Sequence, residues 1–518
     1  MRAMTEPPDR VIDRILAFER KLWRAANVRA SALDLLREGL RRHPGDRRLR
    51  VRLALRALSL ADWRDRASDI AAVLANGQRP PLPLWALLWT DDLVVHRAAA
   101  VDWAARFAAK VGAPFRHGAG SARRPLRVGY LSADFRAHAV STLIAELLEG
   151  HDRRRVAITG YSLHNGDGSP LRARLEAGVD RFVDLSGLPD AEAAARIYAD
   201  GTDILVDLNG YTAGGRSGIL ARRPAPIQVS LLGFSGTMAA DFIDYIIGDP
   251  VVLGDGAAEH FTERLVELPE TFQPNDSRKV IASPLPSRTE AGLPGDGFVF
   301  CCFNDPRRLS PEMFDIWMRL LARSDGAVLW LNAPWSEVAD NLRREAAARG
   351  VDPARLIFAR RLPSLADHLA RLSLADLALD TLPYGAHTTA SDALWAGVPM
   401  VTCIGRSFAG RVGASVLSAI GLPELITPDL QAYEALALRL AHEPDLLAAL
   451  RRRLVANRLT SPLFDCARYT RHLETAYETM WAIHCTGGEP RAFGVLPQPN
   501  QQFDAELPAL ERSASSRP

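Results

Sequence analysis

Two hydrophobic periodicities divide this chain. Up to about residue 118, apolar residues recur at helical spacing in Val11–Trp23, Ala32–Leu40 and Leu49–Leu58, which predicts amphipathic helices. The stretch HPGDRRLRVRLALRAL joins a Pro-Gly-Asp turn to one such helix, as in helical-hairpin repeats. No clean repeat period emerges, so residues 1–118 read as an all-α, degenerate tetratricopeptide-like region. The basic, Gly-containing segment His117–Arg124 reads as a linker. From Pro125 the pattern changes to apolar strands alternating with amphipathic helices. Strands are predicted at Arg127–Leu131, Ala157–Tyr161, Ile204–Leu208 and Gln228–Leu232, with helices at Thr142–Glu149 and Ala191–Ala199. The pattern pauses over Pro274–Gly297 and then resumes. Strands are predicted at Phe298–Phe303, Ala327–Leu331, Leu356–Ala359, Leu377–Leu379 and Met400–Cys403. Helices are predicted at Pro311–Ala322, Glu337–Arg349, Leu365–Leu372 and Ala390–Ala396. This alternation implies parallel, doubly wound sheets. The expected fold class is α/β, with two Rossmann-like domains at 119–282 and 283–487 joined by a hinge and facing a cleft. The Pro/Gln/Ser-rich tail, 488–518, reads as disordered.

The totals narrow the function. With 518 residues, two or three domains are expected. The 63 basic and 61 acidic residues nearly cancel, so charge makes no case for a nucleic-acid partner. Five cysteines without paired spacing argue against a disulfide framework. There is no CxxC or HExxH to suggest zinc. No run is apolar and long enough to predict a membrane span, and the N-terminus is not a signal peptide, so the cytoplasm is the expected location.

The string DTLPYGAHTTASDALWAGVPMVT, Asp380–Thr402, reads as a strand end, a Pro/Gly turn, a helix start and a second strand. His387, Thr388 and Thr389 fall at the helix entrance, where free N–H groups and the helix dipole favour an anion such as a diphosphate. Asp392, just inside the helix, suits a sugar diol. Thr389 and Asp392 equally fit a capping box, which would stabilise any helix start. Two further loops converge on the same crevice. In FNDPRRLSP, Asn304 and Asp305 suit a base or phosphate and Arg308 a phosphate charge, or the arginines simply coat a helix entrance. In LPSLADHLAR, His368 and Arg371 share a helix face, where a ring can stack on a pyrimidine and a guanidinium can reach its edge.

In the first half, RVGYLSADF runs into RAHAVSTL, placing Asp134 and His138 at a strand's C-terminal end. His138 is either a proton-exchanging residue or part of a turn. ILVDLNGYTAGGR and RRPAPIQVSLLGFSGT bring Asp207, Asn209, Tyr211, Gly236 and Thr237 to the same side. No Asp-x-Asp pair occurs, so a divalent metal on the diphosphate is not expected, and Arg308 with the helix start would carry the leaving-group charge.

Taken in order, these strings resemble the O-linked N-acetylglucosamine transferase family, including its bacterial members. They are LRVGYLSADFRAH, DILVDLNGYT, RRPAPIQVSLLGFSGT, the FN of FNDPRR, DTLPYGAHTTASDALWAGVPMVT, SPLF and RYTRHLETAYETMW. The resemblance implies a GT-B fold and an inverting transfer of GlcNAc from UDP-GlcNAc to Ser or Thr hydroxyls of a protein acceptor. It implies His138 as the active-site histidine, with Asp305 and Arg308 at the diphosphate and His368 and Arg371 at the uracil. It likewise implies His387, Thr388 and Thr389 at the diphosphate and Asp392 at the ribose. Asp207, Tyr211, Gly236 and Thr237 fall on the acceptor or sugar side, and neither a metal nor another cofactor is expected. The chain departs from the family where Gln often replaces Asp305, Lys replaces Arg308 and His replaces Tyr211. Alternatives are O-fucosyl, other hexosyl or nonulosonic-acid transfer on the same fold, a small-molecule glycosyltransferase, and a catalytically silent scaffold that senses nucleotide sugars.

Overall fold

The computed structural model describes residues 8–25, 28–74, 82–108, 111–118, 120 and 125–498. Residues 119 and 121–124 of the expected linker and 499–518 of the expected tail therefore lie outside the described residues. Among those described, the helical region comprises α1 (Pro8–Arg24), α2 (Arg29–Arg42), α3 (Arg47–Ser59), α4 (Arg66–Leu74), α5 (Pro83–Trp89) and α6 (Leu93–Ala108). The Pro-Gly-Asp turn works as predicted: the Asp46 carboxylate accepts from the Leu49 N–H at 3.1 Å and caps α3.

The first lobe holds β1 (Leu126–Ser132), β2 (Val156–Ser162), β3 (Arg181–Asp184), β4 (Ile204–Asp207), β5 (Ile227–Ser230), β6 (Tyr245–Gly248) and β7 (Arg264–Glu267). The second holds β8 (Val299–Cys302), β9 (Val328–Asn332), β10 (Leu356–Ala359), β11 (Leu377–Leu379), β12 (Met400–Cys403) and β13 (Ile426–Thr427). A last short strand, β14 (Phe493–Gly494), returns to the first sheet beside β7. The sheet orders are β14-β7-β6-β5-β4-β1-β2-β3 and β10-β9-β8-β11-β12-β13, with parallel pairing between neighbours. Both sheets reverse direction of winding beside their first strand, between β1 and β4 and between β8 and β11. The loops that leave those strands open a crevice suited to a ligand. The central strands are fully buried runs such as ILVD and VFCC, because helices cover both faces.

Three elements tie the lobes together. The C-terminal helix (Cys466–Cys485) packs on helix α7 (Ala139–Gly150) and β5 of the first lobe, which corrects its expected place in the second domain. There Tyr130 Oη meets His151 Nε2 at 2.8 Å and Tyr477 Oη at 2.9 Å, while Glu474 reaches His151 Nδ1 at 3.0 Å and Arg155 at 2.7 Å. The predicted hinge over Pro274–Gly297 is not a free span. Asn275, Asp276 and Lys279 are buried, because this strap is held by both lobes: Asp276 pairs with Arg174 and Ser277 bonds Glu146 of the first, and Lys279 pairs with Asp392 of the second. The helical region spans both lobes. Trp63 meets Phe314 edge-on at 5.4 Å, Asp91 accepts from the Ser407 N–H at 2.8 Å, and Trp103 meets Tyr211 at 6.4 Å. Residues 488–498 were expected to be disordered, yet β14 pairs with β7 and Val495 is buried. Among the described residues no helix is long and apolar enough to cross a membrane.

The C-terminal return generates a pH dependence. His472 is buried, accepts from the Gln498 N–H at 2.9 Å, and has its pKa pushed down to about 4 by burial and then by Arg468 and Arg471. An unfolded histidine titrates near ~6.5, so the unfolded chain takes up the proton first as the pH falls. The stability is complete above that value and is lost between about pH 6.5 and 4, reaching up to about 2 kcal/mol at about pH 5. Urea unfolding at about pH 7.5 and about pH 5 will show this loss. A His472→Gln variant will flatten the difference between the two pH values by a similar amount.

Candidate active site

The second lobe's crevice is shaped by one carboxylate. Asp380, just past β11, accepts from the N–H of Thr381 at 2.7 Å and of Ala386 at 2.6 Å, and from the Thr402 hydroxyl at 2.7 Å. These bonds fold the intervening turn back on itself and deliver His387 to the start of the signature helix (Thr388–Trp395). Asn304, at the end of β8, donates from Nδ2 to Thr381 Oγ1 at 2.8 Å and accepts at Oδ1 from the Thr389 hydroxyl. Asn304 and the Thr389 hydroxyl therefore join the two loops, and both line the hollow beside His368. His387 provides no side-chain cap, and its carbonyl takes the Ala390 N–H, so among the described residues the Thr388 and Thr389 N–H groups are left for an incoming anion.

Arg308 lies against this entrance. It donates to the Gly385 carbonyl at 2.6 Å and stacks 4.1 Å above the Tyr384 ring, which in turn stacks on His387 at 4.8 Å. Burial, and then the Arg308 charge, push the His387 pKa down to about 3, so the ring is neutral. Its Nε2–H donates to the Ala409 carbonyl at 3.3 Å, and its Nδ1 faces Ser235 Oγ of the first lobe at 3.4 Å. The signature helix thus meets the opposite lobe at its first residue.

The charge of Asp305 is balanced by its neighbour Arg307. Its carboxylate accepts from Arg307 Nε and Nη2, both at 2.8 Å, and caps the short turn Pro306–Arg308. Burial works to raise its pKa, but the Arg307 hydrogen bond and charge outweigh that and hold it low. Arg307 also faces Trp85 of the helical region at 5.9 Å. His368 lines a small hollow with Cys302, Phe303, Asn304, Thr389 and Ala393. Arg371 is aimed by His368 Nδ1 at 3.1 Å and sits over Phe303 at 5.3 Å. Because Nδ1 accepts, the neutral ring carries its proton on Nε2. Asp392 is buried and pairs with Lys279 Nζ at 3.2 Å.

The first lobe repeats the same device. Asp207 accepts from the N–H of Asn209 and of Gly210, each at 3.0 Å, and burial pushes its pKa up to about 6. Asn209 donates to Asp134 Oδ2 at 2.8 Å and accepts from the Ala133 N–H at 2.6 Å. Gly210 is required here: its φ is +53°, and a Cβ would lie 2.4 Å from Phe234 Cβ. His138 caps α7, with Nδ1 accepting from the Val140 N–H at 3.3 Å and lying 3.6 Å from Asp134. Burial lowers its pKa against the pull of Asp134, so the neutral ring presents an Nε2–H donor.

Four candidates do not open on the crevice. Tyr211 is buried, donates to the Met238 carbonyl at 2.7 Å and packs on Trp103 and Phe234. Thr237 donates to Glu263 at 2.6 Å, and Gly236 lies against Leu87 of α5. Asp207 is absorbed by its own loop. The contacts that the structure gives these residues are to their own loops and to the helical region. Lys279, Ser235, Arg307 and Tyr384 were missed. Arg307 and Ser235 carried a local signal, being adjacent to the chosen Arg308 and Gly236, and Tyr384 lies three residues before His387.

Two Rossmann-like lobes beneath a helical region, with an uncapped helix start at the second crevice, define a GT-B-type fold. The family model described as glycosyl transferase family 41 matches residues 107–284 and 282–473. The chain belongs to that family. It is 36% identical over 470 residues to a probable UDP-N-acetylglucosamine–peptide N-acetylglucosaminyltransferase SEC of Arabidopsis thaliana, covering 86% of this chain and 48% of that protein. It is 31% identical over 474 residues to the UDP-N-acetylglucosamine–peptide N-acetylglucosaminyltransferase of Caenorhabditis elegans, covering 70% of this chain and 41% of that one. The chain thus spans about half the length, or less, of these relatives. A solved point mutant of the Thermobaculum terrenum O-GlcNAc transferase superposes with a TM-score of 0.77 at 30% identity, covering 93% of this chain and all of that one.

The two asparagines predict a stability effect. Asn304→Ala leaves the buried Thr381 hydroxyl its bond to the Tyr384 carbonyl but takes away its donor, and it removes the acceptor of Thr389, while Asn209→Ala leaves the Ala133 N–H without its acceptor. Each is expected to cost about 2–3 kcal/mol in denaturant unfolding. A loss below about 0.5 kcal/mol, the scale of an ordinary surface change, would show that these amides are dispensable.

Proposed function

We propose that the protein is an inverting, metal-independent glycosyltransferase that moves GlcNAc from UDP-GlcNAc to Ser or Thr hydroxyls of a protein acceptor. The observation that carries this reading is the uncapped start of the signature helix with the Arg308 guanidinium beside it. Those groups supply amide donors and a fixed positive charge where a departing diphosphate gains negative charge. In the proposed step the acceptor oxygen attacks the anomeric carbon in line, the bond from that carbon to the β-phosphate oxygen breaks, and UDP leaves on the opposite side. The acceptor proton is lost to water as the new bond forms. The capping bond of His138 leaves an Nε2–H donor, which favours a role in orienting the acceptor or sugar over that of a base. His368 and Arg371 would receive the base, and Asp392 the ribose. A protein acceptor is supported by the groove lined by Leu16, Val51, Leu55 and Trp85, which leads to Arg307. The names of the relatives point the same way.

A thermal-shift panel of UDP-GlcNAc, UDP-glucose, UDP-galactose, GDP-fucose and CMP-sugars is expected to give the largest stabilisation with UDP-GlcNAc. A larger shift with GDP-fucose would reassign the donor. UDP release is expected to require a protein acceptor and to persist in excess EDTA, and loss of turnover on chelation would refute metal independence. Arg308→Ala is expected to lower kcat by about 100-fold or more with the far-UV spectrum unchanged. Wild-type turnover in that variant would remove Arg308 from the chemistry.

A further inference from the structure

The chain contains three lysines among its 63 basic residues, and every other cation on its surface and in its crevices is arginine. One of the three, Lys279, is also the least expected in its setting. Its side chain is 1% exposed, whereas the preceding Arg278 is 57% exposed and paired with Glu149. Lys279 lies in the strap that crosses from the first lobe to the second, and both its backbone and its side chain are held by the signature helix. Its carbonyl accepts from Trp395 Nε1 at 3.1 Å, and its ammonium reaches Asp392 Oδ1 at 3.2 Å. The rings of Trp395 and Phe464 close over the ammonium at 5.7 and 5.6 Å. Asp392 and Trp395 both belong to the signature helix, and Gln273, earlier in the strap, donates to Ser391 of the same helix at 2.6 Å.

Burying an ammonium and a carboxylate together costs more solvation than a single contact restores, so such a pair is a poor way to add stability. A compact ammonium, however, occupies one oxygen of a carboxylate, whereas a guanidinium fork tends to engage both. Among the described residues Asp392 Oδ2 makes no hydrogen bond. Its carboxylate acts on the neighbouring His368 ring, on the side where the base is proposed to sit.

We propose that Lys279 is a positioning residue for nucleotide recognition, holding Asp392 by one oxygen so that the other meets the ribose hydroxyls of a nucleoside diphosphate. This rests on the donor-site reading above. It also makes the strap part of the donor site, because the first lobe supplies the cation that sets the carboxylate of the second.

The test is calorimetric titration with UDP and with 2′-deoxyuridine and 3′-deoxyuridine diphosphates. The wild-type protein is expected to prefer UDP over at least one deoxy analogue by about tenfold, the worth of one charge-assisted hydrogen bond. Lys279→Met is expected to weaken UDP binding by about tenfold and to reduce that preference to about twofold or less. Asp392→Asn is expected to do the same, and the double variant to be no worse than either single one. A purely structural Lys279 would lower affinity for all three nucleotides equally and leave the preference intact, which would overturn the inference. Additive effects in the double variant would overturn it too. If Lys279→Met does not fold, the double variant, which removes both buried charges, takes its place, and a wild-type ribose preference there refutes the proposal. Should the wild-type protein bind no nucleoside diphosphate, the donor-site reading itself fails. Binding of UDP without any ribose preference defeats only the role given to Lys279.

Discussion

One buried asparagine amide at each crevice is the interaction on which the rest of the site depends. Asn209 joins the loops after β1 and β4, and Asn304 joins those after β8 and β11. An amide has donors and acceptors in fixed directions, so it locks two loops in one relative position as a hydrophobic contact cannot. Beneath each amide lies an aspartate, Asp207 or Asp380, that gathers the N–H groups of the loop that follows it. The two lobes share this construction as well as their strand order. A site that stabilises charge in a transition state needs donors already in place, and the amides supply that order before any ligand arrives.

The second constraint acts between the lobes. The strap, the C-terminal helix and the helical region each cross the interface, with Lys279, Tyr477 and Asp91 as their anchoring side chains. The signature helix receives contacts from the first lobe at His387, Ser391 and Asp392. The lobes therefore meet through the very helix that the proposed function gives to the diphosphate and ribose. Movement of one lobe against the other would disturb that helix directly.

The sequence was most readable where chemistry is local. Leu356–Ala359, Leu377–Leu379 and Met400–Cys403 are strands at the predicted bounds, because each is a short apolar run between turn signals. The short strands β3 and β7, RFVD and RLVE, carry charge at both ends with one buried residue each, and β14 is two residues long, so none has an apolar signature. The helix start at His387–Thr389 was visible for the same local reason. The duties of Asn304 and Thr389 were not, because their partners lie 77 and 85 residues away. Lys279 was harder still: its partner is 113 residues distant, and the surrounding Pro, Ser and charged residues look like a solvated hinge. Tyr211 shows the same limit for a hydroxyl. Its place after β4 suggested a ligand, yet its hydroxyl reaches Met238 within the lobe.

Charge pairing then explains why an anion suits this crevice. Asp305 is balanced by Arg307, and Asp392 by Lys279. His387 is neutral, and burial also lowers the pKa of His368. Asp380 has its pKa raised by burial and has its oxygens filled by two N–H groups and a hydroxyl. Among the described residues, Arg308 and Arg371 form no ion pair, so they are the cations of this set without a carboxylate of their own. Both are held by carbonyls and rings, contacts that aim a guanidinium without neutralising it. Arg308 beside an uncapped helix start puts two positive centres at one place, which a dianion would offset. The crevice is thus electrostatically incomplete by itself, and a diphosphate has the charge and the acceptor oxygens to complete it.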